Sequence, residues 1–532
     1  MTFPLSFAQE RLWYLDRLAP GVSIYNLPFG FALAGSFHVG AFRQTLAAIV
    51  ARHETLRTSL PEVAGQPVQE IAETEEITAP WELPVADLAA LPAGARQAEA
   101  ERLARGFARR PFDLARGPLF RAAVLKLAAG EHQVLLNLHH TVGDGASLNL
   151  LAAEISALYP GFAGRQPATL PDLPIQYADY AVWQRGWLQG QALERRLAWW
   201  REALAGMPEV FSLPADRPRP PVQSFRGGLR RSVLAAREAA ALSAFAQAQG
   251  STLFAVLLAA YYAWLHRLTG EVDLPVGSPV ASRDRTELEG LIGFFVNTLV
   301  LRGRISPGVP FSALLRQTRE VTVAAFLHPD LPFERLVAEI SPRPDLGYNP
   351  LFQVMLAFQQ EGPAPPRLPG LASRRLDFDL GGARVDLALS VEGQEEGLTL
   401  CLEHGADLFD PATAERFLRG YLQLLAGALA DPELPLPDLP LLGEGERHQL
   451  LVEWNAEAWT ETTGEPLAHQ LFAIQAARQP EAVALLAAGE TLTYGEFDRR
   501  ATRLARHLRT RGLGRWARVG LLAERSADLI LG

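Results

Sequence analysis

A chain of 532 residues with 48% hydrophobic and 20% charged residues has an ordinary globular composition and the length for more than one domain, since single cores stop growing near ~250–300 residues. Its net charge of −9 excludes the basic surface expected of a nucleic-acid binder. The lone Cys401 excludes an intrachain disulfide and a CxxC zinc or redox pair, which places the chain in a reducing compartment, the cytoplasm.

No basic and then apolar leader opens the sequence. The longest apolar run, Leu253 to Leu265, is shorter than the ~20 residues of a bilayer span and reads as a buried helix, so no membrane partner is expected. From the N-terminus, Ser6 to Leu15 reads as an amphipathic helix capped by Ser6. A β-rich piece around Phe29 to Leu33 precedes a helix from about Val39 to Ala51, which runs into Arg52-His53-Glu54-Thr55-Leu56-Arg57-Thr58. The charges there suit a solvated helix end with an i,i+4-type pair as well as they suit a site. Arg57 stands out because an arginine fixed near Asp144 would pair an otherwise lone carboxylate. Strands are predicted near 119–127 and 133–139.

The second of those strands ends in His139-His140-Thr141-Val142-Gly143-Asp144-Gly145, and a helix with Leu148, Leu151, Ile155 and Leu158 at helical spacing follows over 146–159. Successive strand side chains point to opposite faces, so His139 and His140 cannot both look into one cavity, and only one can do chemistry. Gly143 and Gly145 flank Asp144, as a sharp turn or a close backbone approach would require. The helix N-terminus turns its free N–H groups and partial positive charge towards the same spot. Three readings compete. A metal site is poorly served by histidines facing opposite ways. Alternatively both histidines are core residues and Asp144 is a helix N-cap. In the third reading one histidine is a general base or positioning group, and Asp144 holds the loop through an arginine.

A Pro-rich break at Pro167 to Pro174 suggests a lobe boundary, and the aromatics of Gln176 to Gln184 recur at helical spacing, as core residues do. A second Pro-rich stretch, Leu213 to Val222, reads as an extended connector before a helix-rich region, Ala235 to Leu268. A strand and turn, Val276 to Arg283, lead to the apolar run Ile292 to Leu299. Asn297 inside that run needs hydrogen-bonded partners to offset its burial. A loop is predicted over 361–370, strands near 384–404, a helix from Ala412 to Leu429, and an interdomain linker at Pro432 to Pro440. Beyond residue 450, Glu490 to Phe497 reads as turn and strand, Asp498 to Arg511 as an Arg-rich amphipathic helix and Val519 to Leu522 as a strand. The chain ends in a further helical pattern, so a domain is started and not finished.

The pattern HHxxxDG of His139 to Gly145 resembles the signature of condensation domains of nonribosomal peptide synthetases, which epimerisation domains and related acyltransferases share. It has company. In order, Ser6 to Leu15 is similar to that family's SxAQxRLWxL, Arg52 to Thr58 to RHExLRT, Tyr177 to Trp183 to YxDYxxW, Ile292 to Thr298 to IGxFVNT and His328 to Glu334 to Hx(D/Y)xPFE. Arg343 to Leu351 is similar to the looser RDxSRNPL. Together these matches span residues 5 to about 440. The subtype most resembled joins an L-donor to an L-acceptor, although Ala146 stands where members often carry Trp, and Leu346-Gly347-Tyr348 departs from the last motif. Thr491 to Phe497 resembles the first core motif of an adenylation domain. The later motifs that bind ATP and the amino acid are absent, so no adenylation activity is expected from this fragment, which looks like part of a longer synthetase.

The resemblance implies an α/β (α+β) fold of two chloramphenicol-acetyltransferase-like lobes in a V-shaped pseudo-dimer, followed by a partial adenylation domain. The expected divisions are residues 1–170 and 171–440 for the lobes, 441–465 for a linker and 466–532 for the fragment. It also implies a reaction. In a tunnel between the lobes, the α-amine of an acceptor attacks a donor thioester, each substrate being delivered on the phosphopantetheine arm of a carrier protein. No cofactor or metal is expected on this chain; its partners would be the donor and acceptor carrier proteins and the rest of the synthetase. His140 corresponds to the family's catalytic residue, His139 packs on the other face, and Gly145 offers its backbone N–H. Asp144 is a structural anchor paired with Arg57 or, as second choice, Arg283, and Asn297 supports the site. An epimerase on the same fold and a non-catalytic carrier-docking platform are the alternatives.

Overall fold

In the computed structural model, alternating buried and exposed side chains build two large sheets, one from each half of the first of two structural units, Met1–Glu444 and Gly445–Gly532. The described residues are all except Met1, 75–82, 165–168, 342–344, 395–396, 457–465, 488 and 515–516. One sheet has five strands in the spatial order Leu371–Leu376, Asn26–Gly35, Glu131–His139, Phe120–Ala128 and Val85–Asp87. Phe29, Phe31 and Leu33 face the helices Val39–Arg52 and Gly145–Phe162, burying Phe42, Leu46, Ile49, Leu151, Ile155 and Tyr159 in one core.

The second sheet has six strands in the order Val296–Arg304, Asp273–Ala281, Val354–Gln359, Leu387–Gln394, Gly397–Gly405 and Gly227–Ala235. The apolar run of the helix Leu253–Thr269 lies behind it, every residue from Ala255 to Leu265 being buried. This explains a stretch so apolar without a membrane, and no single helix among the described residues is long and apolar enough to cross one.

Several sequence expectations change at this level. The strand Leu371–Leu376, which follows the 361–370 loop and which no sequence pattern announces, crosses to the first sheet. It pairs antiparallel with Asn26–Gly35, from Leu371 opposite Gly35 to Leu376 opposite Gly30. It is an edge strand, and such a strand needs no apolar run of its own because its neighbour's backbone supplies the ladder. The Pro432–Pro440 stretch is not a free linker. Leu436 and Leu439 are fully buried, and Arg267 donates to their carbonyls at 3.0 and 2.6 Å. The prolines stiffen the path while the leucines between them fill the core. The segment expected to link the domains, 441–465, contains the helix Glu444–Leu451, and its residues 457–465 lie outside the described ones.

In the second unit the hairpin Val483–Ala487/Glu490–Thr493 and the helix Tyr494–Thr510 enclose a small core around Leu492, Phe497 and Ala527. That helix begins before the expected Asp498 because Thr493 and Glu496 form a capping box. Residues 519–522, expected as a strand, form none, and Val519, Leu521 and Leu522 are exposed. An apolar run becomes a strand only where a partner strand accepts its hydrogen bonds.

Candidate active site

The site is a tight turn held between backbone carbonyls. The strand Glu131–His139 ends with His139 N–H donating to Leu119 O at 2.9 Å, and the next N–H, of His140, donates to Tyr25 O at 2.8 Å. A short 3-10 turn, His140–Val142, then swings the chain into Asp144 and the helix Gly145–Phe162. Gln9, in the first helix, donates through Nε2 to Thr141 O at 3.1 Å, supporting the turn from below.

The two histidines separate as strand alternation predicts. His139 is buried with its ring edge-on to Phe112 and Tyr25. Its Nδ1 accepts the Thr141 backbone N–H at 3.3 Å and lies 2.9 Å from Thr141 Oγ1. His140 is half-buried, its ring 4.7 Å from that of Phe294. Its Nδ1 lies 2.9 Å from Gly143 O. A carbonyl only accepts, so Nδ1 carries the hydrogen and the neutral ring presents the lone pair of Nε2. That nitrogen has no hydrogen-bond partner among the described residues. Burial first, then the Arg384 guanidinium, pushes the His140 pKa down to about 3. His139 is also pushed down to about 3, by burial and then by His140, Arg121 and Arg384. Both rings are neutral at pH 7.

Asp144 is the N-cap of the helix and the anchor of the turn. Its Oδ1 accepts from Ser147 N and Ser147 Oγ, both at 2.8 Å, and from Arg283 Nη2 at 3.1 Å, while Oδ2 accepts from Phe295 N at 3.1 Å. Arg283 also donates to Leu288 O and Leu291 O at 2.8 and 2.6 Å and lies over the Phe295 ring at 4.3 Å. One carboxylate and one guanidinium thus tie the helix after the motif to the 283–295 segment of the other half.

Arg57, the first choice for this role, is elsewhere. It pairs with Glu54 at 3.3 Å and donates to Ala72 O. The Glu54–Arg57 turn sets it beside the end of the strand Gln66–Ile71, where the next residue, Ala72, donates its N–H to Arg57 O at 3.1 Å. From the same segment it is His53 that reaches across. Its Nε2 lies 3.0 Å from both oxygens of Glu154, and its Nδ1 accepts from Ile292 N at 3.4 Å. Sequence reasoning missed Glu154, yet there was a signal: a charged residue on the apolar Leu151–Ile155–Leu158 face of a helix needs a buried partner.

Gly145 opens the helix, and a Cβ there would meet Gln359 Nε2, from the second sheet, at 2.9 Å. The close approach, not the backbone angles, favours glycine here, and the atom met is the mobile end of a side chain. Asn297 finds the partners its burial demanded. Its Nδ2 donates to Pro329 O and Leu331 O at 2.8 and 2.6 Å, and its Oδ1 accepts from Thr298 N and Phe333 N at 2.8 and 3.0 Å. It clips the 328–334 segment to the strand and does not touch His140.

Two cavities are lined by neighbours of the motif, and neither is lined by a residue of the turn itself. Phe294, against the His140 ring, lines one of about 160 Å³ together with Ser6, Tyr180 and Asn297. Arg384 lines another of about 260 Å³ with Asn26, Leu27, Leu148, Phe378 and Glu403. Among the described residues no group of three or more His, Cys, Asp or Glu side chains is placed to hold a metal ion. The arrangement offers one uncharged imidazole nitrogen, fixed in direction and without a partner among the described residues, which suits proton transfer or amine positioning.

Comparison with known proteins places this geometry. A family model described as "Condensation domain" matches residues 1–451, and one described as "AMP-binding enzyme" matches residues 472–532. The chain is 42% identical over 531 residues to a linear gramicidin synthase of Brevibacillus parabrevis, covering 99% of this chain and 10% of that protein. It is 41% identical over 530 residues to phosphinothricin tripeptide synthetase PhsC of Streptomyces viridochromogenes, covering 99% and 48%. It therefore spans from a tenth to about half the length of these relatives. Among solved structures it resembles the X-domain from teicoplanin biosynthesis, with a TM-score of 0.73 and 28% identity over 82% of this chain and 97% of that one. A four-domain nonribosomal peptide synthetase bound to AMP and glycine shares the fold with a TM-score of 0.80 at 24% identity, over 96% of this chain and 39% of that one. With the HHxxxDG turn seated between two sheets and the family match running from the first residue past the second sheet, the chain belongs to the condensation-domain family of nonribosomal peptide synthetases and carries a short AMP-binding fragment behind it.

Proposed function

We propose that the first unit forms an amide bond between two carrier-bound substrates at His140. The supporting observation is the free Nε2 of a neutral histidine whose other nitrogen is locked on Gly143 O. An α-amine has a pKa of ~7.7–8.0, so a useful fraction is already neutral near pH 7. Nε2 accepts one of its hydrogens and aims the nitrogen lone pair at the donor thioester carbonyl. As the C–N bond forms, the amine nitrogen becomes strongly acidic and gives a proton to Nε2. When the C–S bond breaks, the sulfur leaves with the electron pair and takes that proton as a thiol. Because its pKa is held near 3, His140 is a weak base, and its contribution is orientation and a brief stay of the proton at that late stage. His139 packs beneath, Asp144 and Arg283 hold the turn, Gly145 keeps the helix N-terminus open, and Asn297 holds the neighbouring segment.

The partners are donor and acceptor carrier proteins, whose phosphopantetheine arms bring the thioesters, and the rest of a cytoplasmic synthetase. The lobes divide near residue 170, with the Leu371–Leu376 strand exchanged into the first. With two loaded carriers the parent yields an amide, and His140→Ala is expected to slow it by ~10²–10⁴. A rate within a few-fold of the parent would remove His140 from the chemistry. Exchange of the α-proton in deuterated water without a new amide would instead make the site an epimerase.

A further inference from the structure

The cavity lined by Arg384 contains a charge that the mechanism above does not use. Glu403 lies on the strand Gly397–Gly405 between Leu402 and His404, which are buried. Strand alternation therefore turns Glu403 to the opposite face, next to Leu229 and Ala388 of the neighbouring strands, and its side chain lines the cavity. Of the other polar groups there, Arg375 pairs with Glu392 at 3.0 Å and Asp379 Oδ1 accepts from Gly381 N at 2.7 Å, while Asn26 Oδ1 has no partner among the described residues. Asn26 Nδ2 donates to Ala108 O and Arg110 O at 2.6 and 3.0 Å, and Arg384 Nε donates to Ile24 O at 3.4 Å. Glu403 makes no hydrogen bond or ion pair among the described residues. Burial raises its pKa, and the Arg384 guanidinium only partly offsets that. A half-buried carboxylate left without a donor costs free energy that a bound N–H or ammonium group would recover.

Two further considerations narrow the ligand. At about 260 Å³ the cavity falls below the ~300–1,000 Å³ of sites for drug-sized ligands, and its walls combine the apolar Leu27, Leu148, Leu229 and Phe378 with the charged Arg375, Asp379, Arg384 and Glu392. It suits one aminoacyl group. The acceptor's α-amine is the nucleophile and must sit at His140 Nε2, so a second amine at Glu403 belongs to the other substrate. We propose that Glu403 is a specificity residue for the donor, accepting the hydrogens of the free α-ammonium of a single aminoacyl group seated in this cavity, and so favouring it over an N-acylated or fatty-acyl donor.

This inference rests on the condensation reading for the roles of donor and acceptor, and its test is a binding measurement that needs no turnover. Stable amide analogues of alanyl-, N-acetylalanyl- and octanoyl-pantetheine are titrated calorimetrically at pH 7 into the full chain and into Glu403→Gln and Glu403→Leu, each first checked for an unchanged melting temperature. The parent is expected to bind the alanyl analogue at least tenfold more tightly than the octanoyl one, and both variants are expected to lose most of that preference while N-acetylalanyl binding changes less than twofold. Octanoyl binding as tight as alanyl in the parent overturns the proposal. So does a Glu403→Leu effect equal on all three analogues, which would show Glu403 reading the shared pantetheine arm. An amide assay that fails while the alanyl preference holds overturns the condensation reading alone.

Discussion

Asp144 and Glu403 are two carboxylates of the first unit, and they are treated in opposite ways. Asp144 accepts from Ser147, Arg283 and Phe295 and is almost fully buried, whereas Glu403 faces a cavity with no donor of its own among the described residues. A carboxylate whose oxygens are met by fixed donors from two halves of the protein holds geometry. One whose oxygens wait for a donor is available to a ligand. The two histidines differ in another way: each has its Nδ1 met, by Thr141 or by Gly143 O, and burial separates His139, packed against Phe112 and Tyr25, from the half-buried His140. Polar satisfaction divides the two carboxylates, and burial divides the two histidines.

The largest test of that division is removal of the anchor. Asp144→Ala leaves Arg283 buried without its counter-charge, its side chain being 10% exposed, and is expected to cost about 3–5 kcal/mol in chemical denaturation. A loss below about 1 kcal/mol would mean that Asp144 is no more structural than Glu403. Acid should act next. Both histidines are held neutral in the folded state, with pKa values near 3 against an ordinary value of 6.5. The unfolded chain therefore binds more protons below pH 6.5, so the stability gained from the two neutral rings is complete above about pH 6.5 and is lost as the pH falls towards 3. Replacing both residues, His139→Phe with His140→Ala, should flatten the acid limb of a stability–pH curve, and an unchanged slope would place the titrating groups elsewhere.

Smaller effects sharpen the contrast. Gly145→Ala brings a Cβ to 2.9 Å from Gln359 Nε2, the mobile end of a side chain, so its cost should be about 1 kcal/mol and should shrink when Gln359→Ala is added. A cost that Gln359→Ala leaves unchanged would shift the constraint to the backbone. Arg57→Ala is expected to cost least, below about 1 kcal/mol, because its partner Glu54 is a near neighbour in sequence with a third of its side chain exposed. Melting curves for Arg57→Ala and Arg283→Ala compare the two arginines directly, and equal losses would sink the assignment of Arg283 as the anchor's partner.

Much of the site was legible in the residues alone. Strand alternation separates His139 from His140, the position of Asp144 before a periodic helix makes it a cap, and a buried amide at Asn297 demands partners; each argument needs only a few neighbouring residues. Arg57 shows where such reasoning fails. Its residue type and neighbourhood fitted the anchor as well as those of Arg283, and nothing local distinguishes them.

The short-range part of the protein thus follows from its residues without reference to the fold: the strand–turn–helix around HHxxxDG, the capped first helix, the buried Leu253 run and the family to which its ordered motifs are similar. Those features depend on periodicity, capping and turn chemistry within a dozen residues. Only the folded chain brings Arg283, 139 residues from Asp144, to close the anchor, and buries Glu154 against His53. Only there does the Leu371–Leu376 strand join the first sheet, Pro432–Pro440 pack into the core and Glu403 come to face a cavity. Each of these is a meeting of distant segments, and the free energy of such a meeting depends on the path of the whole chain and on which donors are already taken when the segments arrive.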